Sequence, residues 1–404
     1  MKTPALLALP LAALLAACSG ASAPAGSSDT SSSPVGSASQ RTPLGSVAPP
    51  LTGAPTVAPS PKVAPSAFAA TVRALSEPDS AFISDNMISN ETSYLQVAPA
   101  LTRSAAPGGA YIGVGPEQNF TYIALTRPAL AFIIDIRRQN MIEHLLYKAI
   151  FTEATTRAHF VALLVGRPYQ ADGDPGAAAS IDAVIAHAEK RPADEATFAA
   201  AHARLRAMIE RDLPLDAEDK KTLEISHRAF FKGQLDIRFE LKQSSGRRYP
   251  SLRELVAARD PEGGARGFLA DEEAFRFVQR MEREGRIIPV VGDFAGDRAL
   301  PGIAARLAQD KLEVSAFYVS NVEQYLFEPK VWPRWARNVA ALPKNDKSLF
   351  IRAYLDQGKK HPQQMKGHRT ATVLQRMIDF DDRQAHKSYV SFWEVSTERL
   401  LGGG

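Results

Sequence analysis

The chain has 404 residues, with 48 Lys and Arg against 44 Asp and Glu and a formal net charge of +4 at pH 7. Hydrophobic residues make up 45% and charged residues 23%, which is typical of a globular protein and excludes a wholly disordered or collagen-like chain. The small, evenly spread charge argues against a nucleic-acid partner, and a single cysteine excludes an internal disulfide framework and a cysteine-built metal site.

The first 18 residues predict a targeting signal. Lys2 precedes an apolar run from Ala5 to Ala17, which is too short to span a bilayer as a helix. The run ends in Leu15-Ala16-Ala17-Cys18, which resembles the lipobox of bacterial lipoproteins. This resemblance implies that Cys18 is lipidated and anchors the protein to a membrane of the bacterial cell envelope. Because Ser19 and not Asp follows the cysteine, the same resemblance implies the outer membrane. An ordinary cleaved signal with a chance cysteine is the alternative.

Residues 19–66 consist mainly of Ser, Ala, Pro, Gly and Thr. Such a composition cannot bury enough apolar surface to offset the loss of chain entropy on folding. We therefore predict a disordered tether followed by a folded part that starts at residue 67.

The first elements of the folded part predict a strand, a glycine-rich turn, a helix and a second strand. Ala110 to Gly115 is a β-like run with two glycines at its end, and 120–125 suits a helix. The apolar run Leu130–Asp135 is typical of a strand that is buried on both faces, as in a parallel sheet, and it closes with an acid.

Residues 139–285 predict a mostly helical insertion, because apolar residues recur there at helical spacing. After it, strand-like runs at 287–291, 314–319 and 349–355 alternate with a helix near 300–308. A helix near 373–378 and a last strand at 389–395 complete the prediction. The alternation favours an α/β domain with a mainly parallel, Rossmann-like sheet, formed by 67–138 and 286–404.

This skeleton resembles the class I S-adenosylmethionine-dependent methyltransferases. The glycine-rich turn of that family corresponds to residues 113–119, and its cofactor-binding positions correspond to Gly113, Gly115, Glu117, Asn119, Asp135 and Asp293. The resemblance implies that Asp135 binds the ribose hydroxyls, that Asp293 contacts the adenine amine and that Asn321 faces the methyl-transfer site. The run Tyr111–Phe120 also resembles a signature of an uncharacterised family of exported bacterial proteins.

The physical chemistry of these positions suits a ligand. Glycines let the backbone approach a ligand closely, and the helix N-terminus after the turn favours negative charge. Parallel strands bring their carboxyl ends to one edge, so Gly113, Gly115, Asp135, Asp293 and Asn321 are predicted to converge there. Glu91 and Glu323 are candidate general bases.

Two functions remain open at this point. One is a methyltransferase-like enzyme that uses S-adenosylmethionine on an unknown acceptor. The other is a non-catalytic envelope lipoprotein whose cleft binds a small molecule or a protein partner. No metal is predicted, because His144 has no second histidine four residues away. Arg137 and Arg138 could bind an anionic ligand group, or could form ion pairs with acids of the chain.

Overall fold

The structure is a computed structural model that describes residues 64–82, 87–239, 248–356 and 358–401. The predicted signal, Cys18 and most of the tether lie outside the described residues. The first described helix, α1 (Pro65–Leu75), begins within two residues of the predicted start of the folded part. Within the described ranges no helix has the length and apolar character needed to cross a membrane.

A six-stranded sheet forms the centre of the fold, in the order β3-β2-β1-β4-β5-β6. Strands β1 to β5 are parallel, and β6 runs antiparallel to β5. The strands are β1 (Ala110–Gly113), β2 (Leu130–Asp135), β3 (Ile287–Val291), β4 (Val314–Ser320), β5 (Leu349–Leu355) and β6 (Thr370–Arg376). Every residue of β1, β2 and β3 is buried, as their continuous apolar runs predict. The predicted α/β class and mainly parallel sheet are confirmed.

Helices cover the sheet and follow its strands. After α1 they are α2 (Ala98–Ser104), α3 (Gln118–Thr126), α4 (Arg138–Glu153), α5 (Arg157–Leu164), α6 (Ile181–Ala188), α7 (Glu195–Asp212), α8 (Ala217–Gly233), α9 (Leu252–Val256), α10 (Glu272–Arg283), α11 (Ala299–Asp310), α12 (Trp332–Ala341), α13 (Met377–His386) and α14 (Phe392–Thr397). Short 3₁₀ turns lie at Tyr94–Val97, Gln234–Asp236 and Val322–Tyr325.

The described residues between β2 and β3 form seven helices, α4 to α10. Several of these helices begin at a good N-cap residue. The side chains of Asp194, Asp216 and Ser251 each accept a hydrogen bond from a backbone N–H of the first turn. α4 packs on β2 and β3, and α7, α8 and α10 pack on α4. The helical segment therefore shares one hydrophobic core with the sheet, and its separation as an insertion domain stays a prediction.

The end of the chain departs from the prediction. Val373 and Leu374, assigned to a helix, lie in β6, and α13 starts only at Met377. The predicted last strand at 389–395 overlaps α14 (Phe392–Thr397), which Ser391 caps by accepting a hydrogen bond from the Glu394 N–H. Short apolar runs fit a buried strand or a buried helix equally well, and the short run of β6 does not distinguish the two by its periodicity.

Candidate functional site

The carboxyl ends of the parallel strands lie along one edge of the sheet, and most of the predicted site residues lie at that edge. Gly113 ends β1, Asp135 ends β2, Asp293 follows β3 and Asn321 follows β4. The Gly292 N–H donates to the Asp135 carbonyl at 2.9 Å, which holds the ends of β2 and β3 side by side. Strand order reverses between β1 and β4, which is where open α/β sheets bind their ligands.

The glycine-rich turn is closed by its own asparagine. The Asn119 amide donates to the carbonyls of Val114, Gly115 and Pro116 at 2.9, 3.0 and 2.8 Å. Its Oδ1 accepts from the Tyr111 hydroxyl at 2.8 Å, and the residue is fully buried. Asn119 thus holds the turn from inside, a different role from the predicted contact with a cofactor.

The two glycines of the turn serve different purposes. A Cβ at Gly113 would collide with the side chains of Asn119 and Tyr111, so this glycine makes room for the chain itself. Gly115 has a φ of +77°, a left-handed conformation that glycine adopts without strain. Nothing lies within 4 Å of a Cβ placed on Gly115, so its backbone can be approached from that side.

Asp135 is engaged by Arg137. The guanidinium donates from Nε to Oδ1 at 2.9 Å and from Nη2 to Oδ2 at 2.7 Å, and the Arg137 backbone N–H donates to Oδ1 at 2.9 Å. The Asp135 side chain is only 6% exposed. A ribose would have to displace this bidentate pair before it could reach the carboxylate.

A segment of residues 76–82, here named the strap, lies over the carboxyl ends of β2 and β3. The Glu77 N–H donates to the Val291 carbonyl and the Ser80 N–H to the Ile136 carbonyl, both at 2.8 Å. The strap therefore covers the edge where the resemblance would place the nucleoside of the cofactor.

The Glu77 carboxylate occupies the loop between β3 and α11. It accepts hydrogen bonds from the backbone N–H groups of Asp293, Arg298 and Ala299 at 3.2, 2.9 and 2.8 Å. A carboxylate at a helix N-terminus is stabilised by the helix dipole. The Asp293 side chain is exposed and accepts from the Ala295 N–H at 2.8 Å, so it shapes the same loop. Glu77 lies more than 200 positions away in sequence, and no local pattern could have identified its role.

Glu323, predicted as a candidate general base, forms a buried ion pair with Arg352. Its carboxylate accepts from Arg352 Nε at 2.5 Å, from Arg352 Nη2 at 3.1 Å and from Trp335 Nε1 at 3.1 Å. Both charged side chains are fully buried. Asn321 remains half-buried at the end of β4, where its Oδ1 lies 3.3 Å from the Ser320 hydroxyl.

Glu91 lies at the point where the strand order reverses. Its Oε1 accepts from the hydroxyls of Tyr318 at 2.7 Å and Ser320 at 2.5 Å, and its Oε2 accepts from Gln118 Nε2 at 2.9 Å. All three donors are neutral, and the residue is 1% exposed. Burial raises the pKa of the Glu91 carboxyl, and these hydrogen bonds offset only part of the rise.

Glu117 joins the same network through Ser89. The Ser89 N–H lies 3.2 Å from each Glu117 carboxylate oxygen, while the Ser89 hydroxyl donates to Gln118 Oε1 and accepts from the Glu91 N–H. Burial raises the pKa of Glu117 to about 7, and the nearby charge of Glu91 adds to the rise. A small cavity of about 10 Å³ lies beside Glu117 and Gln118, against residues of the helical segment.

The first turns of α4 carry a buried polar face that the sequence analysis did not identify. Asn140, Glu143, His144 and Tyr147, here named the α4 polar face, recur at i, i+3, i+4 and i+7 and are at most 1% exposed. Asn140 Nδ2, Glu143 Oε1, His144 Nδ1 and the Tyr147 hydroxyl have no hydrogen-bond partner. The spacing of these polar residues was visible in the sequence, but a helix that is buried on all sides could not be foreseen.

The α4 polar face adjoins the glycine-rich turn. His144 Nε2 lies 2.8 Å from the Gly115 carbonyl oxygen, and the Phe120 ring of α3 contacts the rings of His144 and Tyr147. Burial lowers the pKa of His144 to about 4. Burial also raises the pKa of Glu143 well above its ordinary value, and the charge of Glu117 acts in the same direction.

The model of a family described as "Domain of unknown function (DUF7790)" matches residues 86–401 of the chain. A search of the curated proteins gives no match. Within the described residues, no group of three His, Cys, Asp or Glu side chains is arranged to hold a metal ion. The absence of a metal stays a prediction.

Proposed function

Because the chain belongs to the DUF7790 family, whose description assigns no activity, we propose its function from the edge of the sheet described above. We propose a lipoprotein of the bacterial cell envelope, anchored through Cys18, with a methyltransferase-like core. Its cleft binds a small molecule without transferring a methyl group. The observation that carries this proposal is the pairing of Asp135 with Arg137 beneath the strap.

The methyltransferase-like core is supported by topology. The order β3-β2-β1-β4-β5, with its reversal between β1 and β4, is the doubly wound arrangement of nucleotide-binding sheets. A glycine-rich turn follows β1, and an acid ends β2. The antiparallel β6 departs from a fully parallel sheet.

The positions that would hold S-adenosylmethionine are filled by the chain's own groups. Arg137 engages Asp135, Asn119 fills the turn, and the strap covers β2 and β3. Binding of the nucleoside would have to break these contacts first, and their free energy would be subtracted from its affinity. S-adenosylmethionine is made in the cytoplasm, whereas the proposed lipoprotein lies outside it. This location also argues against S-adenosylmethionine as the ligand.

Binding of another ligand is supported by the polar groups that the chain leaves without partners. Buried polar groups in folded proteins are almost always hydrogen-bonded, so a cluster of exceptions points to a bound molecule or to ordered water. Here the exceptions cluster on the α4 polar face, beside the open side of Gly115. Fold alone does not decide function, and these groups are the better guide.

Calorimetry with the purified full chain tests the proposal. We expect no binding of S-adenosylmethionine or S-adenosylhomocysteine. We also expect a small molecule to be released when the purified protein is denatured and its extract is analysed by mass spectrometry. Tight binding of S-adenosylmethionine that Asp135→Asn abolishes would instead establish the methyltransferase hypothesis.

A further inference from the structure

We propose that His202 of α7 and His227 of α8 bind one divalent transition-metal ion, of the class of Cu²⁺ and Zn²⁺, between their imidazole rings. Both residues belong to the helical segment and not to the carboxyl edge of the sheet. The inference therefore goes beyond the proposed function and does not depend on it. The two histidines are 25 positions apart, so a sequence search for histidines four residues apart could not pair them.

The tautomers of the pair follow from one backbone contact. His227 Nε2 lies 3.1 Å from the Leu163 carbonyl oxygen and must donate its proton there. Burial lowers the pKa of His227 to about 4, so the ring is neutral at pH 7 and its Nδ1 holds a lone pair. This Nδ1 lies 3.1 Å from the Nδ1 of His202. A backbone carbonyl that binds the outer N–H of a histidine is the usual contact that orients a metal-binding imidazole.

The distance between the two nitrogens suits a shared metal ion. Imidazole nitrogens bind Zn²⁺ at about 2.0–2.1 Å, so two nitrogens 3.1 Å apart subtend roughly 95–102° at the ion. This angle lies between the right angle of a square-planar Cu²⁺ site and the tetrahedral angle of a Zn²⁺ site. Without an ion, the His202 Nδ1 proton joins the two rings as a hydrogen bond. When an ion binds, that proton moves through water to Nε2 of the same ring, which stays neutral and binds through Nδ1.

The pair is held against an apolar wall and is open on one side. The Phe198 ring contacts both imidazoles, with ring centres 4.8 Å from His227 and 5.8 Å from His202. His227 is fully buried, whereas His202 is half-buried. The ion therefore has two protein ligands and completes its coordination with water on the side of His202. Burial opposes a charged ion as it opposes a charged imidazole, and retained water reduces that cost.

The charges around the pair leave it available to a cation at neutral pH. Burial lowers the pKa of His202, and the negative charge of Glu224 opposes this lowering, as it would favour a metal ion. Arg206 and Arg228 act in the other direction, but Arg228 Nη1 lies 2.6 Å from a Glu195 carboxylate oxygen, which offsets its charge. Because both imidazoles have a lowered pKa, protons do not compete with the metal at pH 7.

Metal titration of the full chain, without a histidine tag and after treatment with a chelator, tests the inference. Cu²⁺ and Zn²⁺ are titrated separately at pH 7.5 in competition with a chromophoric chelator. We expect one ion per chain, with Cu²⁺ bound more tightly than Zn²⁺. His202→Asn should weaken both at least about ten-fold, since even the loss of a residue that only orients a ligand costs that much. The amide of this variant can still donate to His227, so the hydrogen bond between the helices is kept.

A matched control separates the pair from other histidines. The half-buried His368 also has a partner for Nδ1 at 3.1 Å, the Thr92 hydroxyl, and His368→Asn should leave the affinity unchanged. Zn²⁺ should raise the thermal unfolding temperature of the parent and of this control, but not that of His202→Asn, because the ion stabilises only a chain that binds it. An affinity that His202→Asn leaves intact, or a titration without saturable binding, would overturn the inference. The small molecule sought in the extract of the denatured protein tests the proposed function separately.

Discussion

Arg137 and Asp135 form a bidentate pair two residues apart in the chain, at the end of β2 and the start of α4. Both side chains are largely buried, at 12% and 6% exposure, and the Arg137 guanidinium lies 6.0 Å from the centre of the Phe82 ring of the strap. A carboxylate at this position in a nucleotide-binding sheet ordinarily faces the ligand. Here it ties the second strand to the helix that follows.

Removing either partner of this pair is expected to destabilise the fold. Arg137→Gln and Asp135→Asn should each lower the free energy of unfolding by about 3 kcal/mol, because each leaves a buried charge without its partner. The double variant should lose less than the sum of the two single losses. Urea denaturation followed by circular dichroism measures all three values, and strictly additive losses would show that the two residues act independently.

The contact between the strap and α11 is expected to stabilise the loop after β3. Glu77→Ala removes the acceptor of three backbone N–H groups and should cost about 2 kcal/mol. The amides of Arg298 and Ala299 should exchange with deuterium faster in this variant. Asp293→Asn is the control, since it alters an exposed side chain and keeps the Oδ1 acceptor, so it should change stability by less than about 0.5 kcal/mol.

The Glu323–Arg352 pair is expected to matter for stability and not for ligand binding. Glu323→Gln should cost about 3–5 kcal/mol, because the fully buried guanidinium loses its counter-charge. Glu323→Leu combined with Arg352→Met should be more stable than Glu323→Gln alone. Thermal unfolding gives the ranking. A Glu323→Gln variant of normal stability that no longer binds its ligand would restore Glu323 to the functional site.

Stability is expected to fall as pH rises through neutrality. Burial raises the pKa of Glu117 to about 7 and that of Glu282 to about 8, whereas in the unfolded chain both carboxyls ionise near their ordinary pKa. Between about pH 4.5 and these values the folded state binds more protons than the unfolded state, so raising the pH favours unfolding.

Glu117→Gln removes its share of this dependence because the amide does not ionise. The stability of the variant relative to the parent should therefore increase between pH 5 and pH 8, by roughly 3 kcal/mol. Glu282→Gln should show the same trend with its window extended to higher pH. Urea denaturation at unit pH steps provides the measurement, and parallel pH profiles for parent and variant would contradict the assignment.

The elements that the sequence predicted well are those with long, unambiguous patterns. The apolar runs of β2 and β4 predicted buried strands of a parallel sheet. In such a sheet the carboxyl ends of the strands lie at one edge, which implied that Asp135 and Asn321 lie at the same edge. The short runs after β5 were misassigned, because a seven-residue run such as Thr370–Arg376 fits either element until the neighbouring strand is known.

The partners of the predicted site residues were beyond the reach of the sequence. Nothing local indicates that Glu77 binds the loop after β3, or that Arg352 pairs with Glu323, since both contacts depend on the finished fold. The Arg137–Asp135 pair is local in sequence. An ion pair of Arg137 or Arg138 with an acid of the chain was one of the two alternatives that the sequence left open. A polar face on a buried helix contradicts the usual pattern and is therefore a clue to function.

The lipid anchor is tested apart from the folded domain. Cys18→Ser should abolish the incorporation of labelled fatty acid and release the protein from the membrane fraction, because the resemblance to a lipobox implies that this cysteine accepts the lipid. Labelling that persists in this variant would contradict the proposed anchor.

The position of the strap in the chain has a consequence for biosynthesis. α1 and the strap are the first described segments to be made, yet their partners in β3 and α11 follow more than 200 residues later. β1 pairs with β2 and β4, and β2 pairs with β1 and β3. Because β3 and β4 are made after the helical segment, one edge of β1 and one edge of β2 have no partner while that segment is made. Exposed edges of this kind are sites of aggregation. The nascent chain therefore exposes these edges until β3 and β4 have been made, and the strap can close only after α11 has been made.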